Sequence, residues 1–356
     1  MGQSPDSNSY NDNGEGVPFF QGNADFGERY PFTRIWCSEP VKMASSNDIL
    51  ISVRAPIGAI NYAKEDCCIG RGLAAITPDN SKVSSEFIFW LLKGKREELN
   101  RKGTGSTFKA IGRKVLEEML IPDISLKEQR EYSTILERVH RIIWVRKLEL
   151  QELDKLIKAR FVELFGEPTT NPMGWDETTI GDECFYIKDG PHKSLPDIGK
   201  ENGGHPFISV RNIVNGYIDF STARYISDAD YADAIKKCQP EKGDMLYSKG
   251  GTTGIAKLID TDEQFANWVH VAVLKFDRSK LNGVFFENML NSAYCYEQSQ
   301  RLTKGIANRD LVLSAMAQIK MYRPPIKLQQ QFAAFVAQTN KSKVTPQKTT
   351  KNAKTH

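Results

Sequence analysis

The clearest pattern of apolar and polar positions lies in the middle of the chain, over residues 126–165. This stretch contains no proline or glycine, and apolar residues recur at alternating steps of three and four, with Arg146 and Arg160 in the two remaining places. Such spacing is the a/d seam of a heptad repeat, and it predicts a single helix about 60 Å long. Gly166 and Pro168 would end this helix. The seam consists of Leu136, Val139, Ile143, Leu150, Leu153, Ile157 and Leu164.

A helix of this length cannot be buried within one small domain, so its apolar seam needs a partner helix, in this chain or in another. We interpret residues 123–166 as a central spacer whose seam serves helix–helix packing; a long core helix of one domain is the alternative. Pro324-Pro325 precedes residues 326–338, where a second spacer helix begins but is cut short after about three turns. Residues 339–356 are rich in lysine and threonine without apolar periodicity, which is typical of a disordered basic tail.

Shorter patterns on both sides of the central helix predict strands mixed with helices. In residues 1–122, the pattern predicts a strand, turn and strand over 48–60, a buried strand over 72–76, and a helix over 85–100 capped by Ser84. In residues 167–325, it predicts two strands around a turn over 175–187, a strand over 269–276 and a helix over 285–301.

Several short motifs occur twice, in the same order. The motif Gly16-Val17-Pro18-Phe19-Phe20 returns as Gly204-His205-Pro206-Phe207-Ile208. Asp48-Ile49-Leu50-Ile51-Ser52 returns as Asp244-Met245-Leu246-Tyr247-Ser248, and Leu126-Lys127-Glu128-Gln129 as Leu328-Gln329-Gln330-Gln331. The spacing between copies far exceeds the roughly 20 to 50 residues of a solenoid repeat, so it indicates a duplicated domain. The sequence therefore predicts an α+β protein in which two similar domains are joined by a long, coiled-coil-like helix.

The composition supports a folded protein without chemistry of its own. Hydrophobic residues make up 40% and charged residues 26%, and the six cysteines show no CxxC spacing, so reduced thiols are expected. We find no signal peptide, no apolar run that could span a bilayer, and no P-loop, GxSxG or HExxH motif. With no histidine pair at ligand spacing, neither a catalytic residue nor a metal site is expected.

The net charge gives little support for nucleic-acid binding. It is +4, but residues 341–356 hold five lysines and no acid, so the rest of the chain is close to neutral. Residues 93–114 carry eight lysines and arginines against two glutamates, a net charge of +6. Such a run is either a solvated face or a surface that contacts phosphates.

Together, the motifs resemble a known family. Those that carry the resemblance are Met1-Gly2-Gln3-Ser4-Pro5, Gly16-Val17-Pro18, residues 48–58, Cys68-Ile69-Gly70-Arg71-Gly72 and Leu126-Lys127-Glu128-Gln129. They are similar to the DNA-specificity subunit of type I restriction–modification systems, over about residues 1–338. The resemblance implies two target-recognition domains related by a pseudo-twofold axis, held apart by two antiparallel helices, each reading one half of a split DNA sequence.

The resemblance also implies partners. The subunit would dock methyltransferase subunits, and endonuclease subunits would complete a cytoplasmic complex that methylates DNA adenine and cleaves DNA with ATP. S-adenosylmethionine, ATP and magnesium are expected only in those partner subunits, and no cofactor in this chain. A protein-interaction scaffold, or an inactive truncated specificity subunit that binds partners through the seam, is the alternative.

Two departures from the family pattern bear on activity. The second unit has a strand over 175–187 before its Gly-Pro segment, whereas the first unit begins directly at Met1, so its equivalent strand is expected to be missing. The second long helix is also short. We expect a truncated gene product or elements supplied by a partner, with self-association possible if the missing helix comes from another copy.

Polar residues in loops near the repeated motifs are the expected DNA contacts, because their side chains can pair with base edges or phosphates. In the first unit they are Gln3, Ser4, Gln21, Asn23, Arg54 and Arg71, with phosphate contacts from Lys102 and Lys109. In the second unit they are Lys193, Arg211, Asn212, Lys249, Thr252 and Thr253.

Overall fold

A computed structural model describes residues 1–105, 109–306 and 308–344. The chain divides into two compact units, the first over Met1–Lys147 and the second from Leu148 onward. Both mix strands with helices, so the α+β prediction is confirmed. No helix of the described residues is both long and apolar enough to cross a membrane.

In its described residues, the first unit has eight short strands, three short helices and the start of the long helix. The strands are β1 Tyr10–Asn11, β2 Val17–Phe20, β3 Trp36–Cys37, β4 Met43–Ala44, β5 Ile49–Ser52, β6 Ile60–Tyr62, β7 Cys67–Ile69 and β8 Leu73–Ile76. The helices are α1 Ser85–Gly94, α2 Arg96–Lys102, α3 Arg113–Glu117 and α4 Leu126–Phe165. The strands form two sheets, in the orders β1-β3-β2-β7-β4 and β6-β5-β8.

The core of the first unit lies between β5 and α1. Every residue of β5 is buried, and the ring of Tyr62 stacks on that of Phe89, with centroids 4.6 Å apart. Ser84 caps α1 through the backbone N–H of Phe87, as expected. The prediction of one helix over 85–100 was wrong, because the backbone leaves the α conformation at Lys95 (ψ 11°) and a second helix starts there.

The described part of the second unit has nine strands and six helices, in addition to the end of α4. The strands are β9 Glu177–Thr179, β10 Cys184–Asp189, β11 His205–Ile208, β12 Arg224–Ile226, β13 Met245–Ser248, β14 Ala256–Leu258, β15 Ala266–Asn267, β16 Val271–Phe276 and β17 Lys320–Tyr322. The helices are α5 Ile180–Glu183, α6 Asp228–Lys237, α7 Gly283–Leu290, α8 Ala293–Leu302, α9 Leu313–Met316 and α10 Ile326–Val344. Three sheets have the orders β10-β16-β13-β14, β12-β11-β15 and β17-β9.

Strand pairing shows that the two units repeat one topology. In the first, β2 runs parallel to β7, with Phe20 opposite Ile69, and in the second β11 runs parallel to β15, with Ile208 opposite Asn267. Likewise β5 lies antiparallel between β6 and β8, as β13 lies antiparallel between β14 and β16. The duplication inferred from short motifs is therefore present in the hydrogen-bonded framework.

The second unit has a segment without a counterpart among the described residues of the first. β9 pairs with β17, and β10 pairs with β16 at the edge of the larger sheet. Two strands were expected over 175–187, but the connection between them is the short helix α5 rather than a turn. Thr179 and Asp182 form a capping box that starts this helix.

The long helix α4 runs without interruption from Leu126 to Phe165, as predicted. The second helix, α10, reaches Val344, so the prediction that it ends near 338 and that disorder begins at 339 was wrong. Contacts with the end of α4 hold it: Phe332 packs edge-on against Phe161, and Lys343 forms an ion pair with Asp154. The expected basic tail beyond 344 lies outside the described residues.

The structure also places the predicted seam. Ile157 is buried in the second unit's core and Leu164 packs against that core, while Leu150 and Leu153 are partly buried. In the first unit, the side chains of Leu136, Val139 and Ile143 are 43%, 48% and 50% exposed. The seam therefore has a partner helix, α10, only towards the end of α4 in the described residues.

Candidate nucleic-acid interface

In each unit, five loops meet at one place where backbone hydrogen bonds hold the strand ends together. We call this place the junction. In the first unit it comprises residues 1–5, 20–23, 53–55, 70–72 and 109–111. In the second unit it comprises residues 190–193, 208–212, 249–251, 268–270 and 308–311.

The same hydrogen bonds build both junctions. Val53 donates its N–H to Gly72 and accepts from Ile111, just as Lys249 donates to His270 and accepts from Leu311. Ala55 N–H donates to the Lys109 carbonyl, and its counterpart Gly251 donates to Arg309. An isolated bridge joins Arg54 to Ala110, and another joins Gly250 to Asp310. The backbone framework is thus common to the two units.

In the first junction, hydrogen bonds bring the predicted residues Ser4, Gln21 and Arg71 together. Ser4 Oγ donates to Gln21 Oε1 at 3.0 Å and accepts from the backbone N–H of Arg71 at 3.3 Å. Gln3 N–H donates to the Ile69 carbonyl. Asn23 starts a short 3-10 turn directly after this group. Because Ser4 and Gln21 hold each other in place, polar groups are fixed at the surface next to a charged arginine.

Arg54 and Lys109 continue this surface along the first junction. The bonds from Val53 to Gly72 and from Ala55 to Lys109 set the loops of Arg71, Arg54 and Lys109 next to one another. All three cations are exposed, and none forms an ion pair with any residue in the described ranges. This strip can attract phosphate groups without first breaking a salt bridge.

Lys102, also expected to contact phosphate, is engaged elsewhere. Its Nζ lies 2.9 Å from Glu98, which also binds Lys95. The hydrogen bonds from Lys102 and Lys95 lower the pKa of Glu98 to about 2. Much of the basic run over 93–114 is neutralised in this way, since Arg113 and Lys114 pair with Glu117 and Glu118.

The second junction surrounds an open groove of about 570 Å³. Of the predicted residues, Arg211 lines it and is exposed, with one guanidinium nitrogen donating to the Thr222 carbonyl. Thr252 is exposed at the tip of a neighbouring loop. Lys193 is exposed, but its ammonium group lies 2.7 Å from the carboxylate of Asp233. The hydrogen bond from Lys193 lowers the pKa of Asp233.

Three of the predicted contacts in the second unit are buried and structural. Lys249 is only 5% exposed, and its Nζ binds Asp310 at 2.9 Å and Asp189 at 3.5 Å. Asn212 caps its own turn through the backbone and hydroxyl of Ser209. Thr253 Oγ1 shares a hydrogen bond of 2.9 Å with Thr303. These side chains therefore have structural roles and offer no free polar edges to DNA. Their burial was missed in the sequence because glycine-rich loops concealed it.

Sequence reasoning missed the side chains that shape the groove of the second junction. Trp268 packs edge-on against His270 with ring centroids 4.7 Å apart, and Asn308 and Arg309 also line the groove. Trp268 Nε1 and His270 Nδ1 have no hydrogen-bond partner in the described part of the chain. The ring of His270 lies so close to Gly250 that a β-carbon there would stand 1.8 Å from Nδ1. The offset between the repeats could have indicated Arg309, because it is the counterpart of Lys109.

The two junctions therefore differ in side chains where their backbones agree. Gly70 and Gly72 of the first junction correspond to Trp268 and His270 of the second, and Arg54 corresponds to Gly250. A shared scaffold with exchanged polar and aromatic side chains is suited to reading two different sequences. Among the described residues no cluster of histidine, cysteine or acidic side chains could hold a metal ion.

Comparison with known proteins gives a consistent result. The family model of the type I restriction modification DNA specificity domain matches residues 2–155 and 172–354. A protein of Methanocaldococcus jannaschii, named for the MjaX type I restriction enzyme specificity subunit, is 43% identical over 158 residues, which cover 44% of this chain and only 37% of that protein. The MjaIX specificity subunit of the same organism is 26% identical over 305 residues, covering 81% of this chain and 69% of that subunit.

A solved structure shows a similar fold. The crystal structure of a type I restriction-modification system S subunit from M. genitalium aligns with 98% of this chain and 87% of that one, with a TM-score of 0.58 and 15% sequence identity. Both units are matched by the family model, which covers far more than half of the sequence. The chain therefore belongs to the family of type I restriction modification DNA specificity domains.

Proposed function

We propose that this protein is the DNA-recognition subunit of a type I restriction–modification complex, in which each unit reads one half of a bipartite site. The observation that carries the proposal is the duplicated junction: one hydrogen-bonded backbone framework presents two different sets of side chains. Unlike side chains on like scaffolds would select unlike half-sites. Arg54, Arg71 and Lys109 would contact DNA in the first unit, and Arg211, Thr252 and Arg309 in the second.

The proposed subunit does no chemistry itself. Methyltransferase and endonuclease subunits would supply the reactions, and they would bind S-adenosylmethionine, ATP and magnesium. Because such a complex acts on DNA inside the cell, we place it in the cytoplasm.

Helix α4 gives the proposal its second element. It is continuous and runs from the first unit into the second, so the two readers are joined by a helix rather than by a flexible linker. Such a connection would restrict the number of base pairs between half-sites, since DNA advances about 34 Å per turn.

Selection from a library of random DNA duplexes tests this function. The full chain, alone and with its methyltransferase subunits, should enrich two short sequences separated by a constant gap. Insertion of about one helical turn into α4 (~4 residues) should change the preferred gap and leave both half-sites unchanged. Enrichment of one continuous sequence, or a gap that ignores the insertion, would refute the proposal.

One observation favours a second candidate, a scaffold that binds proteins through α4. The first half of the helix exposes apolar side chains at helical spacing: Tyr132, Ile135, Leu136, Val139, Ile142 and Ile143. A stripe of this size commonly marks a protein interface. A scaffold would bind its partner without any DNA preference, so the same duplex selection, with no sequence enriched, separates the two functions.

A further inference from the structure

One arginine of the second junction is held in place by an uncharged partner. Arg309 lines the open groove, and one of its terminal guanidinium nitrogens donates to the side-chain oxygen of Gln300 on α8. The carboxylate of the neighbouring Asp310 is bound by Lys249 at 2.9 Å. Because the partner of Arg309 is an amide, the contact orients the guanidinium group without neutralising its charge.

Gln300 is itself anchored through its amide nitrogen. Its Nε2 donates to the Thr253 carbonyl and to Ser299 Oγ, both at 3.0 Å. The hydroxyl of Thr253 shares a hydrogen bond of 2.9 Å with that of Thr303, which directly follows α8. Gln300 therefore connects the guanidinium group of Arg309 to the backbone of the loop that follows β13.

The first unit has the same anchor without the connection to a cation. The counterpart of Gln300 is Asn100, since an isolated β-bridge begins four residues after each of them. Asn100 Nδ2 donates to the Ile57 carbonyl at 2.8 Å, which matches the anchor of Gln300. In the described part of the chain, no hydrogen bond joins Asn100 to Lys109, the counterpart of Arg309. The extra methylene group of glutamine is thus not needed for the anchor, and it lets the amide oxygen reach the arginine.

A guanidinium group that is held in this way is suited to reading a base. A free arginine loses side-chain entropy when it becomes ordered on DNA, whereas Arg309 is already ordered by its partner. The donors that Gln300 leaves unused can form a bidentate pair with O6 and N7 of guanine, the commonest specific contact in the major groove. Contacts to phosphate carry no sequence information and need no such fixed plane. The arrangement therefore favours a base contact for Arg309.

We propose that Gln300 is a positioning residue of the second unit, which presents Arg309 to a guanine in the half-site that this unit reads. The inference rests on the proposed DNA-recognition function and goes beyond it, because it assigns a base and a residue that does not touch DNA. It also gives Thr253 a role in recognition: this buried residue acts on DNA binding through Gln300.

A shortened amide tests the proposal. Gln300→Asn can keep the hydrogen bond to Thr253, as Asn100 keeps its own anchor in the first unit, but it should no longer reach Arg309. In a selection from random DNA duplexes, the full chain with its methyltransferase subunits should enrich a guanine at one position that Arg309→Ala abolishes. Gln300→Asn should reduce the preference for that guanine about tenfold, which lies within the range of a lost bidentate contact. All other positions, in both half-sites, should stay unchanged.

Two further variants separate positioning from stability. Gln300→Asn combined with Arg309→Ala should lose no more preference than Arg309→Ala alone, because Gln300 acts through that arginine. Gln298→Asn is the matched control on the same helix, where Gln298 binds the backbone N–H and carbonyl of Lys320. It should lower the midpoint of denaturant unfolding and leave the base preference as in the wild type. Gln300→Asn should do the reverse.

The outcomes distinguish this inference from the function on which it rests. Two enriched half-sites that Gln300→Asn leaves unchanged, or additive losses in the combined variant, would overturn the inference alone. Enrichment of a base other than guanine at the position that depends on Arg309 would also overturn it. A wild-type protein that enriches no half-site would overturn the DNA-recognition function and this inference with it.

Discussion

The side chain of Gln329 joins the start of α10 to the start of α7 by hydrogen bonds, and replacing it tests how far these bonds stabilise the second unit. The side chain is fully buried. Its Oε1 accepts from the backbone N–H of Asn282 at 2.8 Å, and its Nε2 donates to the carbonyls of Pro324 at 2.7 Å and Lys280 at 3.3 Å. Gln329→Leu keeps most of the volume but leaves one N–H and two carbonyls without this partner. A buried donor left without a partner costs about 1–3 kcal/mol, and each carbonyl costs less. The free energy of unfolding of the second unit should therefore fall by about 2–4 kcal/mol.

The first unit offers the matched substitution. Gln129 accepts from Ser84 N–H at 2.8 Å and donates to the Ile124 carbonyl at 3.0 Å, so Gln129→Leu should cost the first unit about 1–3 kcal/mol. Gln331, which the sequence repeat aligned with Gln129, is exposed, and Gln331→Leu should change stability by less than about 0.5 kcal/mol. Native-state hydrogen exchange of α1 and α7 reports each unit separately. The reasoning fails if Gln331→Leu costs as much as Gln329→Leu, or if Gln329→Leu costs less than about 0.5 kcal/mol.

Three further results are expected. Lys249→Met leaves the buried Asp189 with only Lys237 and the exposed His192 nearby among the described residues, and it should destabilise the second unit by about 3 kcal/mol in denaturant unfolding; an unchanged midpoint would contradict this. Gly250→Ala pushes the His270 ring out of place and should alter the sequence preference of one half-site only, in a duplex selection. Burial raises the pKa of three thiols to about 12, those of Cys67, Cys184 and Cys295. At pH 8 these thiols should therefore react with iodoacetamide far more slowly in the native protein than in the unfolded protein.

The long helix was predictable because its signal is local. An uninterrupted apolar period over residues 126–165, ended by Gly166, gives both bounds, and α4 has those bounds. The paired strands around residues 48–60 were also predictable, since buried apolar runs flank a turn. Helix α10 was underestimated, because Lys343 in its last turn pairs with Asp154, and no local pattern shows such a long-range contact.

The register of the repeat illustrates a different limit. Sequence identity favoured Gln331 as the counterpart of Gln129, whereas the hydrogen bonds to Asn282 and Ser84 pair Gln129 with Gln329. Helices α4 and α10 begin 200 residues apart, at Leu126 and Ile326. This offset is the one that pairs Gln129 with Gln329, in agreement with the hydrogen bonds. Several glutamines in a row are interchangeable in a motif, but only one of them faces the buried N–H.

Candidate DNA contacts were predicted unevenly for a similar reason. Ser4, Gln21 and Arg71 were proposed because they flank repeated motifs, and the structure brings these residues together. Lys249 carries the same local signal, yet its ammonium group is buried between two carboxylates that come from distant segments. Exposure depends on long-range packing, so a loop position alone could not separate these cases.

The most direct test of the central claim, that each unit reads its own half of one DNA site, compares variants of the two junctions in the same duplex selection. Arg54→Ala with Arg71→Ala alters the first junction, and Arg211→Ala with Arg309→Ala alters the second. The account predicts that each pair degrades a different half-site and that the gap between them stays constant. Loss of the same half-site in both variants, or of neither, would contradict it.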